Sequence, residues 1–209
     1  MTVLALIATG SFLVGGIPFS YLAGRLARGI DLREHGSGNL GASNTFRILG
    51  ARWATAVLVL DVLKGWVPVA LAARLSAGAG VEGHWLEIAA ATAAILGHLF
   101  SPYLRFSGGK GIATSAGAFL ALEPWAFAGA FAVWAGVFAW RRIMSLASLA
   151  AAASLPPLVY VVGRLRPGDS HWSVLAASTI IMAVVVIKHR SNIKRLLRGT
   201  EPALARKKG

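Results

Sequence analysis

The chain has 209 residues, 56% of them hydrophobic, only 14% charged and none a cysteine, with 21 Lys and Arg against 8 Asp and Glu for a formal charge of +13. Mean hydropathy is +0.65, and a soluble domain would carry about a quarter charged residues, so that class is excluded, as are disulfides, thiolate nucleophiles and sulfur-ligated metals. In a soluble chain the charge would suggest nucleic acid; here it points to an anionic membrane face, because Lys and Arg collect beside spans on the cytoplasmic side, and no nucleic-acid partner is expected.

A crossing helix needs about 20 apolar residues. The first candidate, Leu4 to Leu22, lacks the basic start of a signal peptide and precedes further spans, so it is read as a retained helix. Next comes "EHGSGNLGASNTFRILG", Glu34 to Gly50, whose glycines and amides a spanning helix avoids. Gly36, Gly38 and Gly41 are expected to take backbone conformations closed to other residues, while Ser37, Asn39, Ser43 and Asn44 offer short hydrogen-bonding groups. Such a loop can turn several N–H groups toward an anion, with Arg47 adding a planar fork suited to phosphate. The plain alternative is a tight polar connection between helices.

The second span runs from Ala54 to Leu75 and holds Asp61 and Lys64 in "LDVLKGW". Ionisable groups at membrane depth are costly and usually paired, so mutual neutralisation is expected. The third, Leu86 to Tyr103, carries His98 near its end, read as a structural hydrogen-bonding group. In "RFSGGKGIATSAG", Gly108, Gly109 and Gly111 bracket Lys110, and a helix starting at Ile112 would present N-terminal amides to negative charge. Gly111 follows the lysine where a nucleotide-binding loop has Ser or Thr, which disfavours a nucleotide and leaves a smaller phosphate ester or an ordinary glycine-rich turn.

The tract Ile112 to Trp140 is interrupted by "LEPW"; a turn at Glu123 and Pro124 divides it into two short spans. Spans from Ile143 to Val162 and His171 to Ile187 follow. The stretch "KHRSNIKRLLRGTE" continues the last one, placing His189 and Asn192 on one helical face if the helix is unbroken. Its lysines and arginines also suit a basic helix end on lipid headgroups. "SAGAGVEG" and "GRLRPGDS" read as external connections, and the 209 residues as a single domain.

Seven spans with the N-terminus outside and the C-terminus cytoplasmic put the basic clusters of 25–52, 105–110, 141–142 and 188–208 on one side. Only Arg74, Arg164 and Arg166 then fall outside, with Lys64 inside a span. One long helix at 112–140 would destroy that asymmetry, so the charge bias favours seven spans, or five plus a hairpin entering from one face. The expected fold class is therefore all-α and polytopic, with the three polar segments facing the cytoplasm.

These segments resemble a family, the bacterial integral-membrane glycerol-3-phosphate acyltransferases that use acyl phosphate. The resemblance rests, in order, on "GSGNLGASN" with Arg47, "DVLKG", "GHLF", "GGKGIAT", "MSLAS" and "HRSNIKRLLRGTE", and covers nearly the whole chain. Departures are few: the family commonly has Pro at Leu40, Thr at Ser43, Val at Ile112, and Pro where Ser101 follows "GHLF". The resemblance implies acyl transfer from acyl phosphate to the 1-hydroxyl of sn-glycerol 3-phosphate, giving lysophosphatidic acid and inorganic phosphate. It also implies a seven-span fold in the bacterial inner membrane with a cytoplasmic site.

By the same resemblance Ser37, His189 and Asn192 are catalytic. Asn39, Arg47, Gly108, Gly109, Lys110, Gly111 and Thr114 bind substrate, and Glu201 is structural. No metal or cofactor is expected, and the partners are the two substrates and membrane lipid, with a monomer as the working unit. His189 can serve as base or as phosphate binder; the reading inclines to proton uptake by the leaving phosphate, with Ser37, His189 and Asn192 orienting the reactants. Transient acylation of Ser37 is a minor alternative, since the sequence around it shows no recognisable triad. The competing classes are a transporter for a phosphorylated or anionic metabolite and a lipid-binding scaffold.

Overall fold

Hydrocarbon offers a backbone no hydrogen-bond partner, so an apolar chain resolves into helices that satisfy themselves. The computed structural model describes residues 2–79, 84–166 and 172–204. Among them are ten α-helices, two one-turn 3-10 helices and no strand. The contacts divide the chain into two compact units, split between Leu122 and Glu123.

The first unit contains α1 (Thr2–Gly16), α2 (Phe19–Arg28), α3 (Ala42–Leu49), α4 (Ala51–Ala79), α5 (Trp85–Leu99) and α6 (Ile112–Leu122). Its one-turn helices are Leu32–Glu34 and Pro102–Leu104. The first expected span is broken: α1 stops at Gly16 and α2 starts at Phe19, because Pro18 has no N–H to donate and turns Ile17 away from helical geometry. In α4, by contrast, Pro68 is accommodated without a break.

The faces of α4 are arranged inside-out relative to a soluble helix. Asp61, Lys64 and Gly65 are buried, whereas Leu58, Val59, Leu63 and Leu71 are exposed. Apolar side chains outward and polar groups inward is what lipid demands. Against that inner face lies α6, so close that a Cβ on Gly65 would overlap the Thr114 carbonyl and one on Gly117 would overlap the Val62 carbonyl. Small residues bring these backbones together where lipid gives no hydrophobic reward for association. The other extensive pairing of the unit is α1 with α5.

The second unit holds α7 (Pro124–Arg141), α8 (Met144–Leu165), α9 (Trp172–Lys188) and α10 (Arg190–Leu197). The expected break at Glu123 and Pro124 is present: α6 ends at Leu122 and Pro124 opens α7, a position where its missing N–H costs nothing. α8 packs on both α7 and α9. Phe127, Phe131, Trp134 and Phe138 stack in sequence along α7 at centroid distances from 5.1 to 6.0 Å.

One expectation fails here. The last helix does not run on through His189; α9 and α10 meet at a bend of 63°. The composition explains it, since 172–187 is apolar whereas Lys188, Arg190, Lys194, Arg195 and Arg198 crowd the following turns. The candidate span start at His171 and the second halves of both external connections, 80–83 and 167–170, lie outside the described residues. Val3–Arg28, Ala51–Gly78 and Met144–Leu165 are long and apolar enough to cross a membrane.

The α4 and α6 crossing is the tightest test of this fold. Gly117→Leu is expected to lower stability by about 3 kcal/mol or more, since overpacking against backbone cannot relax by side-chain motion. A clearly lower tryptophan-fluorescence melting temperature in detergent is the expected reading.

Candidate active site

The polar segment 31–50 is built from the inside by Asn44. Fully buried on α3, its Nδ2 donates to the carbonyls of Leu32 (3.1 Å) and His35 (3.0 Å), and its Oδ1 accepts from the Ser37 N–H at 2.9 Å. One side chain thus ties off three backbone groups of an otherwise irregular loop. Asp31 closes the start of the loop, accepting from Arg33 Nη2 at 2.6 Å, and this hydrogen bond holds its carboxyl below the usual range despite partial burial. Ser20 Oγ and Thr45 Oγ1, 2.9 Å apart, tie α2 to α3.

Gly36 and Gly38 have φ of 61° and 68°, as expected of glycines placed for their conformational freedom. Gly41 does not: its φ of −177° is extended backbone open to any residue. Leu40, standing where the resembling family commonly has Pro, is 4% exposed and packs with Leu32 and Leu104 in a small apolar cluster under the loop. This burial stabilises the loop without a proline. Ser37 and Arg47 are left exposed on its rim, and Asn39 is half-buried.

The glycine loop is seated on this structure. The Gly109 N–H donates to the His98 carbonyl at 3.1 Å. A Cβ on Gly109 would overlap both the Leu40 carbonyl and the His98 imidazole, and one on Gly108 would overlap the His98 carbonyl. Glycine is required at both positions by this close approach. Gly111, at φ 81°, then turns the chain into α6, so half-buried Lys110 stands at the N-terminal end of that helix. Thr114 is fully buried in the α4 crossing, with its carbonyl facing Gly65.

Beneath the two loops the Asp61 and Lys64 pair has formed, Oδ1 to Nζ 2.8 Å, with both side chains 3% exposed. Lys64 Nζ also donates to the Ile17 carbonyl at 2.8 Å, satisfying the break before α2. His98 Nδ1 stands 3.8 Å from Asp61 Oδ1. These three side chains share with Ser20, Ser101 and Gly109 a cavity of about 10 Å³, room for one water molecule.

In the second unit His189 caps the bend between α9 and α10. Its Nδ1 lies 2.8 Å from the Val185 carbonyl. A carbonyl only accepts, so Nδ1 carries hydrogen and Nε2 is the atom that gains or loses a proton. Asn192 donates from Nδ2 to Glu201 Oε1 at 2.6 Å. Glu201 also accepts from Ser145 Oγ at 2.7 Å and from Arg195 Nε at 2.6 Å. Burial alone would raise the Glu201 carboxyl; the hydrogen bonds from Arg195, Ser145 and Asn192 outweigh it and lower its pKa.

Of the expected site residues, the loop bearing Ser37, Asn39 and Arg47 and the loop bearing Gly108 to Gly111 are therefore joined within the first unit. In the second unit the His189 ring is fixed to the Val185 carbonyl at the bend and Asn192, on α10, to Glu201, so the two are not neighbours on a continuous helix. In the sequence Asn44 is one amide among several. Its signal was position, seven residues after Ser37 and in the first turn of the short α3 that precedes the long α4.

Fold and site together define a multi-pass helical membrane protein carrying cations on glycine-rich loops. The family model described as glycerol-3-phosphate acyltransferase matches residues 5–199. A glycerol-3-phosphate acyltransferase of Desulforudis audaxviator is 46% identical over 91% of this chain and 90% of that one. One of Synechocystis sp. is 40% identical over 94% and 89%. A crystal structure of PlsY (YgiH), an integral membrane glycerol 3-phosphate acyltransferase in its glycerol 3-phosphate form, superposes with a TM-score of 0.86 at 35% identity over 97% of this chain and 96% of that one. Its lysophosphatidic acid form superposes with a TM-score of 0.84 at 34% identity, covering 97% and 95%. The chain belongs to the glycerol-3-phosphate acyltransferase family.

Two outcomes are expected from this geometry. Asn44→Leu, which leaves three buried backbone groups unpaired, should destabilise the first loop by about 2 to 4 kcal/mol, read as a fall in detergent melting temperature that Asn44→Asp only partly reproduces. The second concerns pH. Because folding lowers the Glu201 pKa, its contribution is present above the ordinary value of 4.5 and is lost as pH falls through the lower folded value. Glu201→Gln should melt lower than the parent at pH 7, with the difference closing as the solution is acidified below 4.5.

Proposed function

We propose that this chain transfers the acyl group of an acyl phosphate to the 1-hydroxyl of sn-glycerol 3-phosphate, giving lysophosphatidic acid and inorganic phosphate, the entry step of bacterial phospholipid synthesis. Acylation of glycerol 3-phosphate rests on family membership across residues 5–199 and on the 46% identity to a relative of that name. The observation that carries the site is the seating of Gly109 against Leu40, which makes one structure of the segments bearing Ser37, Asn39, Arg47 and Lys110.

The charges of the substrates dictate the rest. Glycerol 3-phosphate carries nearly two negative charges and acyl phosphate a similar load, so holding them together needs fixed cations and amides. Arg47 offers a fork and Lys110 a point charge, with the α6 amides behind it. The acceptor's 1-hydroxyl oxygen attacks the acyl carbonyl carbon, and the bond from that carbon to the phosphate oxygen breaks. The departing phosphate takes the hydroxyl proton, and no further co-reactant is needed. Effective concentration at the membrane surface contributes several kcal/mol to the lowered barrier. Ser37, His189 and Asn192 orient the reactants in this scheme; the hydrogen bonds that fix the His189 and Asn192 side chains support an orienting role.

The same reading makes residues 1–209 one monomeric acyltransferase domain in the bacterial inner membrane. It has seven spans, two of them short between 112 and 140, with the N-terminus outside and the C-terminus and site on the cytoplasmic side. The Lys and Arg bias and the helix break at Glu123 support that topology. Transport of an anionic metabolite is not favoured, because the matching relatives carry acyltransferase names.

Purified protein mixed with acyl phosphate and glycerol 3-phosphate should form lysophosphatidic acid with equimolar phosphate release; no product, or phosphate-ester flux into liposomes instead, would overturn the reading. Lys110→Ala and Arg47→Ala should each raise KM for glycerol 3-phosphate by roughly tenfold to a hundredfold, the value of a charge-assisted hydrogen bond. His189→Gln should retain kcat within about tenfold, whereas a loss above about a thousandfold at unchanged KM would assign proton uptake to His189. Trapping an acylated Ser37 in the absence of acceptor would replace direct transfer by a two-step route.

A further inference from the structure

Asp61, Lys64 and His98 are buried, polar and unused by the reaction as written. They are 2%, 4% and 8% exposed in a region whose surroundings are lipid-facing helices. An ion pair at such depth is a weak source of stability, because desolvating both charges offsets most of their attraction and an apolar pair of similar volume does as well. Its retention is better explained by what else the pair touches.

Lys64 Nζ reaches the Ile17 carbonyl (2.8 Å) and fixes the break between α1 and α2. Ser101 Oγ fixes the same break from the other side through the Gly16 carbonyl at 2.6 Å. Asp61 Oδ1 faces His98 Nδ1 at 3.8 Å, beside a cavity the size of one water molecule that can bridge them. The imidazole of His98 stands against Gly109 while its carbonyl accepts the Gly109 N–H. The contacts therefore run from the α4 ion pair through α5 to the backbone next to Lys110.

We propose that Asp61, Lys64 and His98 are positioning residues: they set the height and orientation of the glycine loop, and through it the capture of the phosphorylated acceptor by Lys110. This rests on the reading of Lys110 as a phosphate-binding group. None of the three touches substrate. His98 defines the floor on which Gly109 sits, Asp61 sets the His98 ring, and Lys64 locks Asp61 while anchoring the α1 break.

The test is kinetic and uses full-length protein in detergent. His98→Phe keeps a ring under Gly109 and removes both nitrogens; His98→Gln keeps a hydrogen-bonding group and shortens the contact. In at least the better folded of the two, the melting temperature should stay within a few degrees and KM for glycerol 3-phosphate should rise about tenfold, with KM for acyl phosphate changed less than about twofold. Asp61→Asn with Lys64→Met, which replaces the pair by neutral groups, should show the same split.

The decisive arm is a double-mutant cycle. If His98 acts through the loop, adding His98→Phe to Lys110→Ala should change the constant already altered by Lys110→Ala less than about twofold. Independent, multiplying effects would overturn the proposal, as would a doubly neutral pair with parental KM, or a loss of activity that only follows loss of folded protein. Failure of Lys110→Ala to move KM for glycerol 3-phosphate would instead remove the phosphate role of Lys110. The cycle would still judge the coupling on whichever constant that substitution changes.

Discussion

A single ammonium group holds the first unit together at its most vulnerable point. The break at Ile17 and Pro18 leaves a carbonyl without a helical donor in a region bounded by lipid-facing surfaces, and such a group costs several kcal/mol unless it is paired. Lys64 Nζ supplies the partner at 2.8 Å, and Asp61 at the same distance balances its charge. Without that bond the kink before α2 would keep only the Phe19 N–H at the Ile17 carbonyl (3.2 Å) and the Ser101 hydroxyl at the Gly16 carbonyl (2.6 Å).

From that anchor the rest of the first unit is a succession of backbone surfaces brought into contact. Gly65 and Gly117 let α6 lie on α4, and Gly109 lies between His98 and Leu40. Each contact uses a residue without a side chain because backbone atoms occupy the space a Cβ would need. Rigid seating of this kind suits the phosphate-ester site proposed for these loops. A loop free to move would surrender entropy each time substrate bound, whereas a preformed one has already done so on folding. Asn44 and the Leu32, Leu40 and Leu104 cluster perform the same service for the first loop, one by hydrogen bonds and the other by apolar burial.

The second unit solves its version of the problem with a carboxylate. Glu201 gathers Ser145, Asn192 and Arg195 around one group, so the segment after α10 is tied to both α8 and α10. The sharp bend at His189 is stabilised by a ring nitrogen and an N–H directed at the carbonyls of the final turn of α9. The residue resembling a catalytic histidine is thus also the residue that closes a helix end. Its substitution tests structure and chemistry together unless hydrogen bonding is retained.

Sequence alone determined the helical membrane class, the division at Glu123 and Pro124, and the Asp61 and Lys64 pairing. Each of these is local: hydropathy sets a span, proline removes a donor within one turn, and a three-residue spacing puts two charges side by side. Only tertiary structure decided that Gly109 meets Leu40, that Asn44 rather than the glycines organises the first loop, that Thr114 serves a helix crossing, and that the last helix bends at His189. The Gly109 and Thr114 contacts depend on which backbone surfaces lie within van der Waals reach across long stretches of chain, and the Asn44 hydrogen bonds on how the irregular loop folds back over α3. Residue types cannot encode that until the helices have chosen their neighbours. The bend reflects a balance between an apolar span and a basic end that a periodic reading, which assumes one continuous axis, has no means to weigh.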